Sequence, residues 1–449
     1  MTGSKPDVIV GAGVAGLTLA DRLAASGGRV VVLERENSPG GLARSFRIDD
    51  FIFDIGPHRF HTSDSVVEEF VLEVLAGSYE VIPRASSVYL RGRYHSWPLS
   101  LSGLAKLPLG MLIGSVPDLL FRRRGGGESS FADHIVSRYG RNLFSFFFEG
   151  YTAKFTGLPS ENLHVDWAAA GVDRAVIDKR VKADSLNALL RGMLFPSPVS
   201  TTFIYPSRGG IADFSYRLVR RVEAAGGTVR TASEADGLLL EGARMAGVRL
   251  STGEEIEAQR VFWSAPITRL SPGSGLSFIN TVLVCVALRK PARGDYQWCY
   301  FGEQDISFSR TSIPARFSAS TVPAGAGSII AEITCSNQDE AWRDPDSLVP
   351  RVLEDLERVG ALRHADVLFA RALRVPESYP LYTLDYRERL DSIDLPAGVI
   401  PIGRCGTFWY NNMDHSISQA LARAGGRDIP REFWNTRGKD VRELPQSAH

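Results

Sequence analysis

The sequence predicts an α/β protein: a Rossmann-type dinucleotide-binding domain, a helical insertion domain and a small antiparallel-sheet domain. Three observations lead there. A short apolar strand runs into a glycine fingerprint between Asp7 and Gly16. An apolar stretch with helical period opens near Ser100. Alternating, strand-rich sequence fills residues 276 to 375.

The first element is a buried strand, Asp7 to Val10, followed by GxGxxG at Gly11, Gly13 and Gly16. A helix follows from about Val14 to Ser26, then a second strand, Arg29 to Leu33, ending at Glu34. Each glycine has a job: Gly11 makes the tight turn, Gly13 lets backbone approach a pyrophosphate, and Gly16 packs helix against strand. The helix N-terminus offers unpaired N–H groups and partial positive charge to phosphate. Glu34 lies 23 residues after Gly11, placed to accept from ribose hydroxyls, and it disfavours a 2′-phosphate. The next stretch, Ser38 to Ser45, resembles the flavoprotein extension of that site. Gly40 and Gly41 allow a second close backbone approach, with Arg35 and Leu42 alongside, and Arg44 supplies a charge-assisted contact to the diphosphate. The cofactor expected is therefore FAD.

Residues 51 to 99 mix short strands and loops. Leu101 to Phe121 reads as a helix, Arg122 to Gly127 as a polar break, Phe131 to Phe148 as another helix, and Asp166 to Leu194 as further helices. A return to the nucleotide domain follows. Phe203 to Ile211 leads into a helix at Ala212 to Ala225, and strands follow to Pro266. Within 276 to 390, Ser328 to Cys335 alternates as a strand and Leu348 to Val359 is an amphipathic helix. The chain comes back to the nucleotide domain through Gly398 to Arg404 and a helix at about Asp414 to Ala424, whose N-terminus, near Met413 to His415, would face the flavin and stabilise negative charge on it, with Asn412 and Met413 as cofactor-binding candidates. The expected partition is thus 1–99, 201–275 and 391–435 for the FAD domain, 100–200 helical, 276–390 sheet, and 436–449 a flexible tail.

Composition narrows the function classes. With 51 basic and 51 acidic residues the net charge is zero, so no global field recruits nucleic acid or an anionic membrane. The longest apolar run, about Phe278 to Leu288, is too short to span a bilayer as a helix. Four cysteines without a CxxC pair argue against a zinc or dithiol centre, and, with no signal-peptide pattern, a cytoplasmic protein is expected. One dinucleotide fingerprint is present, so NAD(P)H or another reductant is expected only as a transient electron source. A homodimer is left open.

Four further stretches carry a family resemblance: Gly56-Pro-His-Arg-Phe-His-Thr62; Glu149-Gly-Tyr-Thr-Ala-Lys-Phe-Thr-Gly-Leu-Pro159; Ile306-Ser-Phe-Ser-Arg310; and Tyr379-Pro380 followed by Gly403-Arg404 through Tyr410-Asn-Asn-Met-Asp414. Together they resemble UDP-galactopyranose mutase and its amine-oxidase and protoporphyrinogen-oxidase-like FAD relatives, across nearly the whole chain. The resemblance implies a nucleotide-sugar substrate and an isomerase reaction with no net redox change, in which reduced flavin N5 attacks the anomeric carbon and displaces the nucleoside diphosphate.

By that resemblance Arg310 sits near the flavin and the sugar diphosphate, Arg404 contacts FAD, and Tyr379 and Tyr410 donate to substrate phosphates. His58 and His61 lie beside the isoalloxazine, and Tyr151 lines the nucleotide-sugar pocket. Fixed guanidinium groups suit a departing diphosphate that gains charge. The chain departs from the pattern in two places. Lys154-Phe-Thr-Gly157 has Thr156 where the family has a tryptophan that stacks on uracil, with Phe155 the candidate replacement, and Asn412 stands in place of an aspartate. Arg174 and Arg180 are both candidates for the mobile-loop arginine. The competing expectation is an FAD-dependent oxidase or dehydrogenase of the same fold.

Overall fold

The computed structural model describes residues 5–97, 129–168 and 201–427. The expected helices at 101–121 and beyond Ala168, Arg174, Arg180 and the tail lie outside them. Two compact units emerge. One comprises Met1–Val81, Phe203–Ser277 and Arg387–His449, the other Ile82–Thr202 and Phe278–Tyr386.

The first unit is built on a five-stranded parallel sheet, ordered Val399–Pro401, Arg260–Trp263, Asp7–Val10, Val30–Leu33, Thr228–Arg230. Its central strand is buried along its whole length, as a parallel strand covered on both faces must be. One face packs Val8, Val10, Leu33 and Trp263 against a three-stranded antiparallel sheet carrying Val248 and Leu250. The helix Val14–Ala25 packs against the helices Ala212–Ala224 and Met413–Ala424. Charge fastens this layer: Arg221 reaches both oxygens of the buried Asp21 (2.7 and 3.2 Å) and also Glu73 (2.6 Å).

A second, smaller buried group sits at the start of the helix Ala212–Ala224. Asp54 closes the two-stranded sheet of Ser45–Ile48 and Phe51–Asp54. It accepts from Ser45 Oγ (2.6 Å), Tyr205 Oη (2.6 Å) and the Ile211 N–H (3.2 Å). Burial outweighs these three bonds and pushes the carboxyl up to about 6.

The second unit holds a seven-stranded sheet, ordered Val367–Pro380, Phe278–Leu288, Gly327–Cys335, Arg310–Ser312, Trp298–Phe301, Ser86–Leu90, Arg93–Trp97. The strand Gly327–Cys335 and the helix Leu348–Arg358 agree with the sequence to within a residue, but the sheet is larger than expected. It recruits Ser86–Leu90 and Arg93–Trp97 from before the helical insertion. Ser86–Leu90 runs parallel to Trp298–Phe301, so the sheet is mixed. Strands about 200 residues apart in sequence need no hairpin, so nothing local imposes an antiparallel pair. One face buries Val282, Val284, Ile329 and Ala331 beneath the helix Leu348–Arg358, through Val352 and Leu356.

The helical expectation for Phe131–Phe148 is corrected in detail. The helix Phe131–Tyr139, capped by the Ser130 side chain, stops at Gly140, whose φ of 84° and ψ of 161° suit only glycine. A short helix and a π turn follow, and the helix Gly150–Thr156 carries the chain to Gly157 in the left-handed region (φ 72°).

Candidate active site

The dinucleotide cradle lies within the first unit. Gly11 turns with φ 101° and donates to Leu33 O (2.7 Å). Ser264 Oγ ties the turn from outside, donating to Val10 O and Gly11 O. A Cβ on Gly16 would sit 2.1 Å from Gly11 O, so only glycine lets helix and strand approach this closely. A Cβ on Gly41 would meet Gly13 Cα at 3.1 Å, and Gly40 N–H donates to Ala12 O (2.8 Å). The two glycine loops therefore lie backbone to backbone, leaving side-chain-free space at the start of the Val14–Ala25 helix. That helix has no acidic residue in its first turn to compete with an anion.

Glu34 is buried and accepts from Ala12 N–H (2.8 Å) and Glu36 N–H (3.0 Å). These bonds orient the carboxylate beside the turn and leave lone pairs for ribose hydroxyls. Arg44 donates from Nε to Gly41 O (3.1 Å) and pairs with Glu36 (3.1 Å), while Arg35 also pairs with Glu36 (3.4 Å). Arg44 is thus held at the second glycine loop, with Leu42 in the short turn Gly41–Ala43.

The C-terminal segment completes the cradle. Gly403 takes φ 68° and would meet Ala15 Cβ at 2.8 Å if it had a Cβ of its own. Arg404 donates to Asn411 O, with its guanidinium 5.4 Å from the Tyr410 ring centre. The helix starts at Met413, with the exposed Asn412 at its N-cap making no side-chain capping bond. His58 donates its backbone N–H to Gly56 O, and the exposed His61 packs edge-on against Phe203 (5.6 Å). A glycine-walled approach to a helix N-terminus, a buried carboxylate beside the turn and a second glycine pair fit a bound FAD.

The second unit gathers a different set. Arg310 lies across the strands from Glu332, and its guanidinium grips that carboxylate side-on (Nε–Oε1 2.7 Å, Nη2–Oε2 2.5 Å). Nη2 also donates to Tyr379 Oη (3.0 Å), while Nη1 has no protein partner among the described residues. Burial works against the charge, but Glu332 more than offsets it, and the Arg310 pKa stands well above its ordinary value. A fixed cation with one free N–H edge beside a phenol can hold an oxyanion.

Tyr151 and Phe155 project from the helix Gly150–Thr156. Phe155 is buried, stacked on Tyr151 (5.8 Å), edge-on to Tyr379 (5.0 Å) and tilted against Trp167 (6.1 Å). It braces the tyrosines rather than offering an open face. Thr156 is also buried, donating to Thr152 O (2.8 Å). Lys154 donates to Glu303 O (2.8 Å), and burial lowers its pKa to about 8.

The predicted residues therefore form two groups. Gly11 to Arg44, His58, His61, Arg404, Tyr410, Asn412 and Met413 belong to the dinucleotide unit. Tyr151, Phe155, Arg310 and Tyr379 belong to the sheet unit. Sequence reasoning missed Glu332 and Ser264. Glu332 left a signal, a single carboxylate in the otherwise uncharged strand Gly327–Cys335. Ser264 left none.

Comparison with known proteins agrees with this geometry. Residues 9–74 match the family described as the NAD(P)-binding Rossmann-like domain. A Klebsiella pneumoniae protein named "Probable UDP-galactopyranose mutase" is 28% identical over 168 residues, 35% of this chain and 43% of that protein. An L-amino acid oxidase from Crotalus durissus cumanensis is 44% identical over 67 residues, 15% of this chain and 14% of the oxidase. The matched stretches thus span less than half of these curated relatives. The structure of a reduced UDP-galactopyranose mutase superposes with a TM-score of 0.80 at 20% identity, covering 94% of this chain and 93% of that one. The chain resembles UDP-galactopyranose mutase, has the fold of the amine-oxidase-like flavoproteins, and its cofactor is FAD. Among the described residues no helix is long and apolar enough to cross a membrane.

Proposed function

We propose that this chain is a flavin-dependent nucleotide-sugar mutase that interconverts pyranose and furanose rings, acting on UDP-galactose or another nucleotide sugar. The observation that carries the reading is the Arg310 cluster. Glu332 holds the guanidinium in one orientation, Tyr379 sits on one of its nitrogens, and Nη1, without a partner among the described residues, can meet an oxyanion. A preset donor of this kind stabilises charge that grows on a departing diphosphate without reorganising. Reduced FAD, when bound, supplies the nucleophile toward the anomeric carbon, with NAD(P)H or another reductant as its electron source. Tyr151 and Tyr379 orient the phosphates, while the resemblance gives Tyr410 a contact to phosphate and Arg404 a contact to FAD. Phe155 supports these rings, so recognition of the base does not rest on an exposed stacking residue at Phe155 or Thr156.

A second reading, an FAD-dependent oxidase or dehydrogenase, has its support in the oxidase match. That match is short and spans 15% of this chain. One experiment separates the two. The purified protein is reduced with dithionite under anaerobic conditions and given nucleotide sugars. The mutase reading expects isomerisation with the flavin still reduced at the end. Activity that requires oxidised flavin and consumes an electron acceptor would sink it.

A further inference from the structure

On the sheet face that carries Arg310, a second arginine stands without a counter-ion among the described residues. Register places Val88, Tyr300, Arg310 and Glu332 in one cross-strand row, and Ser86, Trp298, Ser312 and Ile330 in the row two residues away. Side chains two apart share a face, so both rows look the same way. Arg84, just before the strand Ser86–Leu90, lays its guanidinium over the Trp298 ring (5.7 Å) and donates from Nε to Ser86 Oγ (3.2 Å). Among the described residues no carboxylate lies within salt-bridge reach of it. Arg310, by contrast, is neutralised by Glu332.

Between the two arginines are hydroxyl and aromatic groups. Tyr300 adjoins Tyr151 ring to ring (5.6 Å, near-perpendicular). The buried Ser312 Oγ, beside Trp298, has no hydrogen-bond partner among the described residues. Arg84 lies two strands across and four residues along from Arg310, which places the Cα atoms on the order of 16 Å apart. Two long side chains reaching inward shorten that to the span of a nucleotide sugar. A partly buried guanidinium that lacks an acid keeps its donor fork for an incoming anion, and the aromatic ring beneath it holds the plane in place.

We propose that Arg84 is a second oxyanion subsite on this face, taking an anionic group of the substrate other than the one Arg310 meets, with Ser312 as an auxiliary donor. The identification of the ligand as a nucleotide sugar rests on the proposed function. The oxyanion site rests on these residues alone. Two sources share this chemistry: the distal phosphate of the diphosphate, and a carboxylate on the sugar.

The test is equilibrium binding to the FAD-loaded protein, without turnover, of UDP, uridine, UDP-galactose and UDP-galacturonate, in wild type and Arg84→Gln. Weakening of UDP by tenfold or more with uridine unchanged assigns the diphosphate. Weakening of UDP-galacturonate alone assigns the sugar carboxylate. Equal affinities in the two proteins for every anionic ligand overturn the proposal. Because Arg84→Gln can fail to fold, the wild-type protein is also labelled with phenylglyoxal and its peptides weighed. Saturating UDP or UDP-galacturonate should protect Arg84, and labelling unaffected by either overturns the subsite. Neither readout needs catalysis. Protection of Arg84 in a protein that does not isomerise nucleotide sugars would leave the subsite standing and remove the mutase reading.

Discussion

Arg310 and Glu332 illustrate how much a single side chain's meaning depends on its partner. A buried guanidinium left alone is costly, and a buried carboxylate equally so, but side-on pairing and the Tyr379 phenol satisfy both. Arg310→Ala should leave the flavin spectrum intact and lower kcat at least ~100-fold, in the range seen on removing a preorganised oxyanion donor. Glu332→Gln should cost about 3 kcal/mol of stability, the low end for breaking a buried ion pair, and lower kcat through a loosened Arg310. Chemical denaturation and steady-state kinetics on the two variants check this, and a stable, fully active Glu332→Gln would remove the positioning role.

Asp54 makes a prediction about pH at the same scale. Its carboxyl is protonated up to about pH 6 in the folded chain, whereas the ordinary value is 3.8. Between those values the folded state binds the extra proton, so this residue's contribution to stability falls as pH rises and is lost above about pH 6. The loss approaches about 3 kcal/mol across that window. Asp54→Asn keeps an acceptor for Ser45 Oγ and Ile211 N–H and offers a donor to the Tyr205 oxygen. Melting curves from pH 4 to 7 should therefore slope less in the variant than in the wild type, and parallel curves would contradict the assignment.

Among the elements, glycine decides where helices stop. Periodicity ran one helix through Gly140 because Phe131 to Phe148 is apolar on both sides of it, and periodicity does not register a single backbone dihedral. At φ 84° and ψ 161° a Cβ is strained, so Gly140→Ala should destabilise the chain by about 1–3 kcal/mol, read as a lower denaturation midpoint. The sheet shows the complementary limit. The strand-rich character of residues 276–375 and the strand at Gly327–Cys335 were legible from alternation, but the parallel pairing of Ser86–Leu90 with Trp298–Phe301 was not. Pairing across such a separation is set by which edges meet after collapse, and no local pattern encodes it.

For the molecule as a whole, each compact unit is assembled from separated stretches of chain, and the first closes around a cofactor cradle. A ligand that binds only the folded state stabilises it by mass action. FAD at ~1,000 times its Kd contributes about 4 kcal/mol. Removing FAD should lower the melting temperature, and adding it back should restore the original value; an unchanged melting temperature would mean that the cradle closes without the cofactor.

The turns at Gly11, Gly13, Gly16, Gly40 and Gly41, with Glu34 beside them, were readable because their geometry is local: a strand, a turn that tolerates no Cβ, a helix N-terminus and an acid at a set distance. The opening strand, helix and strand followed from the same short-range rules, whereas the helix Ser65–Leu75 was not read from the sequence. Ser264 on the turn, Glu332 on Arg310 and the row that joins Arg310 to Arg84 were decided only by the folded chain. Each is a contact between strands far apart in sequence, and cross-strand register, not spacing along the chain, sets which side chains meet.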